Sequence, residues 1–216
     1  MYDNFMRSRF IAWKRRLIMS SESFGAGPLT FRYDAALKFA ADAHRNQFRK
    51  SGRTPYLSHV LRVSGLVLDY GAAEDVAIAA LLHDVVEDCG GLPTLNKVRD
   101  LFGDEVADIV LETSDSTTDD PQKKAPWRER KEAYVERLRY SSNEAALISG
   151  CDKLDNVTSI IRILDSRGDR SILEQFKGGR DGEFWYWDSI VHILKEKKSP
   201  GANELERAVE ILREMW

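Results

Sequence analysis

Val76-Ala77-Ile78-Ala79-Ala80-Leu81-Leu82-His83-Asp84-Val85-Val86-Glu87-Asp88 is the stretch that decides the fold. Its first seven residues are apolar with no polar position at any three- or four-residue step, so a helix built from them is buried on every side. Such a helix sits at the centre of a structure, with other elements packed around it. The spacing predicts one helix over 73–87, stopped by Gly90, Gly91 and Pro93. Four ionisable groups, His83, Asp84, Glu87 and Asp88, fall at its buried end. Burying each of them unpaired costs on the order of several kcal/mol, and a divalent cation is a partner that satisfies them together. On a continuous helix His83 and Glu87 are i,i+4 neighbours, as are Asp84 and Asp88. His83 and Asp84 then reach one ion while Glu87 and Asp88 face the open side of the site a turn further on.

Outward from this stretch the period stays helical. Ala36, Leu37, Phe39, Ala40, Ala43 and His44 mark a first helix, ended by Gly and Pro chemistry at residues 50–55. A second runs from Ser58 to Gly71 with Val60, Val63, Leu66 and Val67 on one side. Further helices are expected at 95–102, 104–112, 127–140, 143–165, 171–176, 184–198 and 202–216, with a polar, mobile loop at 114–126. No period-2 strand, internal repeat or low-complexity tract interrupts them. The fold class is all-α, a helical bundle. It divides into a basic, flexible extension at 1–29, a catalytic domain at 30–198, and a C-terminal helix at 199–216 packed on that domain.

Composition narrows the function. The 216 residues are 43% hydrophobic and 31% charged, enough for a real core and incompatible with overall disorder. There is no apolar run of eighteen residues, so no transmembrane segment is expected. Two cysteines, Cys89 and Cys151, form neither a disulfide framework nor a zinc knuckle, and point to a reducing, cytoplasmic setting. With 32 basic and 35 acidic residues the net charge is −3, which argues against bulk nucleic-acid binding. Residues 1–20 carry +4 and the remainder −7. This leader reads either as a membrane-surface or targeting helix, or as the product of an early start ahead of Met19. No feature assigns an oligomeric state.

An ion needs more than two ligands. His59 opens the second helix, and Asp152 begins another buried helical run with Asn156 one turn above it. His59, His83, Asp84 and Asp152 make a mixed nitrogen and oxygen set suited to Mn2+, Fe2+ or Zn2+. On an ion that favours six ligands, four protein donors leave room for water and a phosphate oxygen. This order of residues resembles the H…HD…D pattern of HD-domain metal-dependent phosphohydrolases. A closer likeness covers residues 30–198. Phe48-Arg49-Lys50-Ser51-Gly52, Pro55-Tyr56-Leu57-Ser58-His59 and His83-Asp84-Val85-Val86-Glu87-Asp88 resemble the hydrolase domain of RelA/SpoT homologues, and especially the small alarmone hydrolases.

The resemblance implies an HD-domain helical bundle that removes the 3′-pyrophosphate of ppGpp or pppGpp, with Mn2+ preferred and no synthetase activity. It places His59, His83, Asp84 and Asp152 on the metal and has Glu87 and Asp88 orient and deprotonate the attacking water. Arg49, Lys50 and Asn156 contact the nucleotide, and Arg130 and Lys131 map loosely onto a basic helix of the family. Three departures stand out: Val60 replaces a proline, Cys89 a threonine, and Asp155 an aromatic or histidine, making that wall more acidic. Arg45 and Arg53 are expected beside the metal, and Lys177 and Arg180 on a solvated face. Phe184-Trp185-Tyr186-Trp187, His44 and His192 are expected in helix packing. The alternatives are a phosphohydrolase of another nucleotide, an adenine alarmone or a nucleoside monophosphate, and a non-catalytic nucleotide-binding regulator. The presence of both Glu87 and Asp88 argues against the regulator.

Overall fold

The computed structural model describes residues 29–50, 54–118 and 124–216. The basic leader, Ser51, Gly52, Arg53 and residues 119–123 lie outside the described residues. In chain order the helices are α1 (Phe31–Ala43), α2 (Leu57–Asp69), α3 (Glu74–Leu82), α4 (Val85–Asp88), α5 (Gly91–Phe102), α6 (Asp104–Thr113), α7 (Trp127–Tyr140), α8 (Asn143–Arg167), α9 (Gly179–Glu196) and α10 (Ala202–Met215). A 3₁₀ segment, Arg170–Gln175, joins α8 to α9. The described residues contain no strand. A lone antiparallel bridge pairs Phe48 with Pro55.

The apolar run is central, as its pattern requires. Residues 76–82 are at most 3% exposed, and α1, α2, α6 and α8 pack around α3. α8 is the long spine of the molecule. It is capped at its start by the Ser142 hydroxyl, which accepts the Ala145 N–H at 3.1 Å, and closed by Gly168 in the left-handed region at φ 59°. One face of α8 (Ala145, Leu147, Ile148 and Cys151) joins a core with α1 to α6. The other (Ala146, Leu154, Val157, Ile160 and Leu164) joins a second core with α7, α9 and α10. Asp152 stands on this spine between the two.

Five sequence expectations need correction. The helix over 73–87 ends at Leu82; His83 and Asp84 form a turn and α4 is a single turn of its own. The His83 imidazole bonds through Nδ1 to Ala80 O at 2.8 Å, the carbonyl that the next residue's N–H would use in a continuous helix. Gly91 and Pro93 open α5 rather than merely stopping α3, since proline in a first turn removes no intrahelical bond. The 171–176 helix is 3₁₀, and α9 starts at Gly179 rather than 184. His192 does not pack but lies exposed on α9, pairing with Glu196 at 3.1 Å.

Candidate active site

The break after α3 turns His83 and Asp84 toward the first turn of α2, which carries His59, and toward Asp152 on α8. His59 Nε2 lies 3.3 Å from Asp152 Oδ1 and 3.5 Å from Asp84 Oδ2. His83 Nε2 lies 3.0 Å from Asp84 Oδ2 and 4.0 Å from Asp152 Oδ1. One donor atom each from His59, His83 and Asp84 falls within 4.8 Å of the others. Both Nε2 atoms are buried and neither makes a hydrogen bond, although carboxylate oxygens lie 3.0–4.0 Å away.

The other ring nitrogens are committed. His83 Nδ1 faces a carbonyl, which only accepts, so Nδ1 carries the hydrogen and Nε2 the lone pair in the neutral ring. His59 Nδ1 faces the Asp155 carboxylate at 2.7 Å with the same consequence. Burial disfavours charge on His59, but Asp152, Asp155 and Asp84 outweigh it and raise its pKa to about 10. His83 is raised as well, with Asp84 overcoming burial. Despite their burial, Asp84 and Asp152 are held below the usual carboxylate range, Asp84 chiefly by His83 and His59, Asp152 chiefly by Lys153 and His59. The cluster thus holds positive charge as protons in a form that a dication displaces. Two nitrogens and two carboxylates with orphaned, converging Nε2 atoms fit a divalent metal.

Around this centre lies a cleft of about 380 Å³. Asp84, Glu87, Asp88 and Asp152 line one end; Arg49, Lys50, Arg130, Lys131, Lys153 and Lys177 supply its cations. Trp127, Phe176, Tyr186 and Trp187 give it an aromatic wall. The bridge at Phe48 sets Arg49 on the cleft: Arg49 N donates to Thr54 O at 2.9 Å, and Tyr56 N to Gln47 O at 2.9 Å. Lys50 Nζ lies 3.7 Å over the Phe176 ring. Asn156 Nδ2 donates to Asp152 Oδ1 at 2.5 Å and its oxygen accepts from Arg49 Nη2 at 2.9 Å. Arg130 and Lys131, in the first turn of α7, bind Asp115 at 2.5 and 2.7 Å.

Glu87 and Asp88 differ. Burial first, then the Asp115 carboxyl, pushes Glu87 up to about 8; Lys124 Nζ holds it at 3.3 Å and Arg130 Nη1 lies 3.7 Å away. Burial and the Asp84 charge raise Asp88 only to about 6. At neutral pH Asp88 is the ionised one of the two.

All the sequence-derived site residues therefore meet in one cleft or its wall, but some companions do not. Arg45 pairs with Asp42 on an exposed face of the α1 end, and Arg53 lies outside the described residues. Lys177 and Arg180 are both exposed, as expected; Lys177 also borders the cleft, whereas Arg180 turns away to Arg213 O at 3.4 Å. Asp155 is no acidic wall: it is buried against His59, Arg49 and Arg62. Phe184, Tyr186 and Trp187 are core, with the last two also on the cleft. The sequence reading missed Tyr56, whose hydroxyl donates to Asp84 Oδ2 at 2.5 Å, and Lys153, which pairs with Asp152. A lysine directly after a ligand on a buried helix was the available signal for Lys153. Lys124 and Asp115 sit in a stretch read as mobile loop, with no local signal.

The HD domain family model matches residues 36–173. A Xenopus tropicalis protein called guanosine-3′,5′-bis(diphosphate) 3′-pyrophosphohydrolase MESH1 is 37% identical over 159 residues, 72% of this chain and 80% of its own. The Drosophila melanogaster protein of that name is 38% identical over 132 residues, 60% of this chain and 69% of its own. A solved structure described as a metazoan orthologue of SpoT that hydrolyses ppGpp, with a role in starvation responses, superimposes with a TM-score of 0.65 at 34% identity, covering 88% of this chain and 98% of that one. No helix of the described residues is long and apolar enough to cross a membrane. On the family match, the extent of the MESH1 likeness and the shared helical frame, the chain belongs to the HD domain family.

Proposed function

We propose that this chain is a metal-dependent (p)ppGpp 3′-pyrophosphohydrolase, acting in the cytoplasm with Mn2+ as its ion. The observation that carries the reading is the pair of buried, unpartnered Nε2 atoms of His59 and His83 converging with Asp84 and Asp152 at the closed end of a cationic cleft. The names of the MESH1 relatives supply the substrate class, and the two free thiols, Cys89 half-buried and Cys151 buried, suit a reducing compartment.

His59, His83, Asp84 and Asp152 would hold the ion. Bound there, a divalent cation supplies charge to the phosphoryl oxygens and acidifies a water. Asp88 accepts the proton of the attacking water, being ionised at neutral pH, and Glu87, held by Lys124 and Arg130, orients it. Water oxygen bonds to the phosphorus on the ribose 3′ oxygen, the P–O3′ bond breaks, and the proton taken by Asp88 passes to the departing 3′ oxygen, giving pyrophosphate with GDP or GTP. Lys50, Arg130, Lys131 and Lys153 surround the cleft with the charge that a polyphosphate needs. Trp127, Phe176 and Tyr186 offer ring faces to the base.

The test is to incubate the purified protein with Mn2+ and ppGpp, ppApp, deoxynucleoside triphosphates or nucleoside monophosphates, and to identify the products. Pyrophosphate and GDP from ppGpp are expected. Orthophosphate from monophosphates with ppGpp untouched assigns another nucleotide phosphohydrolase, and Mn2+ binding without turnover of any substrate assigns a regulator.

A further inference from the structure

Asp155 is 3% exposed on α8, one residue before Asn156, and every acceptor it has is in use. Its Oδ2 lies 2.7 Å from His59 Nδ1 and also pairs with Arg49 Nη1, while its Oδ1 pairs with Arg62 Nε. The geometry points to Asp155 as a positioning residue that aims His59 at the cation and holds Arg49 in the cleft, so that the metal grip and the substrate grip form one network.

A histidine ligand works only if its second nitrogen is fixed, since that contact sets ring tilt, tautomer and donor strength. The two ligand histidines are fixed differently here. His83 leans on a neutral carbonyl, Ala80 O, whereas His59 leans on a carboxylate, which makes His59 the stronger donor. A buried carboxylate serving one imidazole would be costly by itself. Arg62, one turn after His59 on α2, and Arg49, from the bridge at Phe48, supply the compensating charge. Arg49 in turn donates to Asn156, which donates to Asp152. The guanidinium that faces the cleft is therefore two contacts from the cation site along each of two paths.

The inference rests on the ligand set proposed above. Cation-free protein is titrated with Mn2+ while free Mn2+ is followed by electron paramagnetic resonance. Asp155→Asn is expected to bind Mn2+ about 10–100-fold more weakly, and at saturating Mn2+ to show a raised KM for ppGpp because Arg49 is released. Arg49→Gln is expected to raise KM while Mn2+ affinity stays within about threefold of the parent. Parent-like Mn2+ affinity in Asp155→Asn overturns the inference. Should that variant not fold, nitrogen-15 spectra of the Zn2+-loaded parent decide: His59 is expected to keep its hydrogen on Nδ1 and coordinate through Nε2, and the reverse assignment overturns the proposal. A parent that takes up no Mn2+ sinks the ligand set itself, a different failure from an unaffected Asp155→Asn.

Discussion

Glu87 and Asp88 are adjacent carboxyls one turn from the cation site, and their surroundings separate them. Burial and Asp115 hold Glu87 at about 8, while burial and Asp84 hold Asp88 at about 6. A proton acceptor works in its ionised form, so turnover falls as pH drops through its pKa. With Asp88 in that role, kcat/KM at saturating Mn2+ rises with unit slope to no higher than about pH 6 and is flat beyond it, because a nearby dication lowers the value further. Asp88→Asn should lower kcat by roughly 10²–10⁴ and leave Mn2+ binding intact. A limb near 8 that vanishes in Glu87→Gln transfers the role to Glu87. His83→Ala should lose stoichiometric Mn2+ by elemental assay, and full metal content there contradicts the ligand set. At this scale the sequence was legible wherever chemistry is expensive to bury: His59, His83, Asp84 and Asp152 stand out because ionisable groups interrupt apolar runs. Asp155 was misread because its partners, Arg49 and Arg62, lie about a hundred residues away in the chain, a distance that no local pattern spans.

α9 and α7 meet through a ring on a glycine face. A Cβ at Gly178 would come 2.5 Å from Trp127 Cη2 and 2.6 Å from Cζ2, closer than carbon atoms pack. The backbone at Gly178 is right-handed helical, φ −75°, so alanine there is excluded by volume and not by conformation. Gly178→Ala should therefore cost about 1–3 kcal/mol by overpacking, a fall of roughly 2–10 °C in Tm for a chain of this size. Because Trp127 also walls the cleft, KM for ppGpp should rise with kcat nearly unchanged. Gly182→Ala, whose Cβ would approach the same ring at 3.2 Å, should be milder; equal effects, or none, would separate the ring from these glycines. The start of α9 was invisible in the sequence for this reason. Two adjacent glycines carry no helix signal of their own, yet Gly178 lets an indole approach and Gly179 takes a φ of 60° at the helix start. α7 and α3 were legible because propensity and apolar period agree with tertiary packing over their length. The end of α3 was not, because the His83 side chain, rather than any backbone breaker, takes up the Ala80 carbonyl.

Across the whole molecule charge is segregated. The chain is net −3, yet Arg49, Lys50, Arg130, Lys131, Lys153 and Lys177 line one cleft. A nucleotide carrying several negative charges gains little from the net charge of the chain, so its attraction rests on this local concentration of cations. Four of these cations are partly spent inside the protein, Arg49 on Asp155, Arg130 and Lys131 on Asp115, and Lys153 on Asp152. Lys50 is not: among the described residues it forms no ion pair, and its ammonium lies over the Phe176 ring. Free of an internal partner and exposed at the cleft, its charge is available to a phosphate, as is that of Lys177. Raising the salt from about 20 to about 300 mM shortens the screening length from about 20 Å to about 6 Å. That should lower kcat/KM for ppGpp severalfold through KM, with kcat changed far less. Lys50→Gln should raise KM about tenfold and flatten the salt dependence. A variant with unchanged salt slope would put the substrate's charge elsewhere in the cleft. A parent with no salt dependence would mean that the cations serve the fold alone.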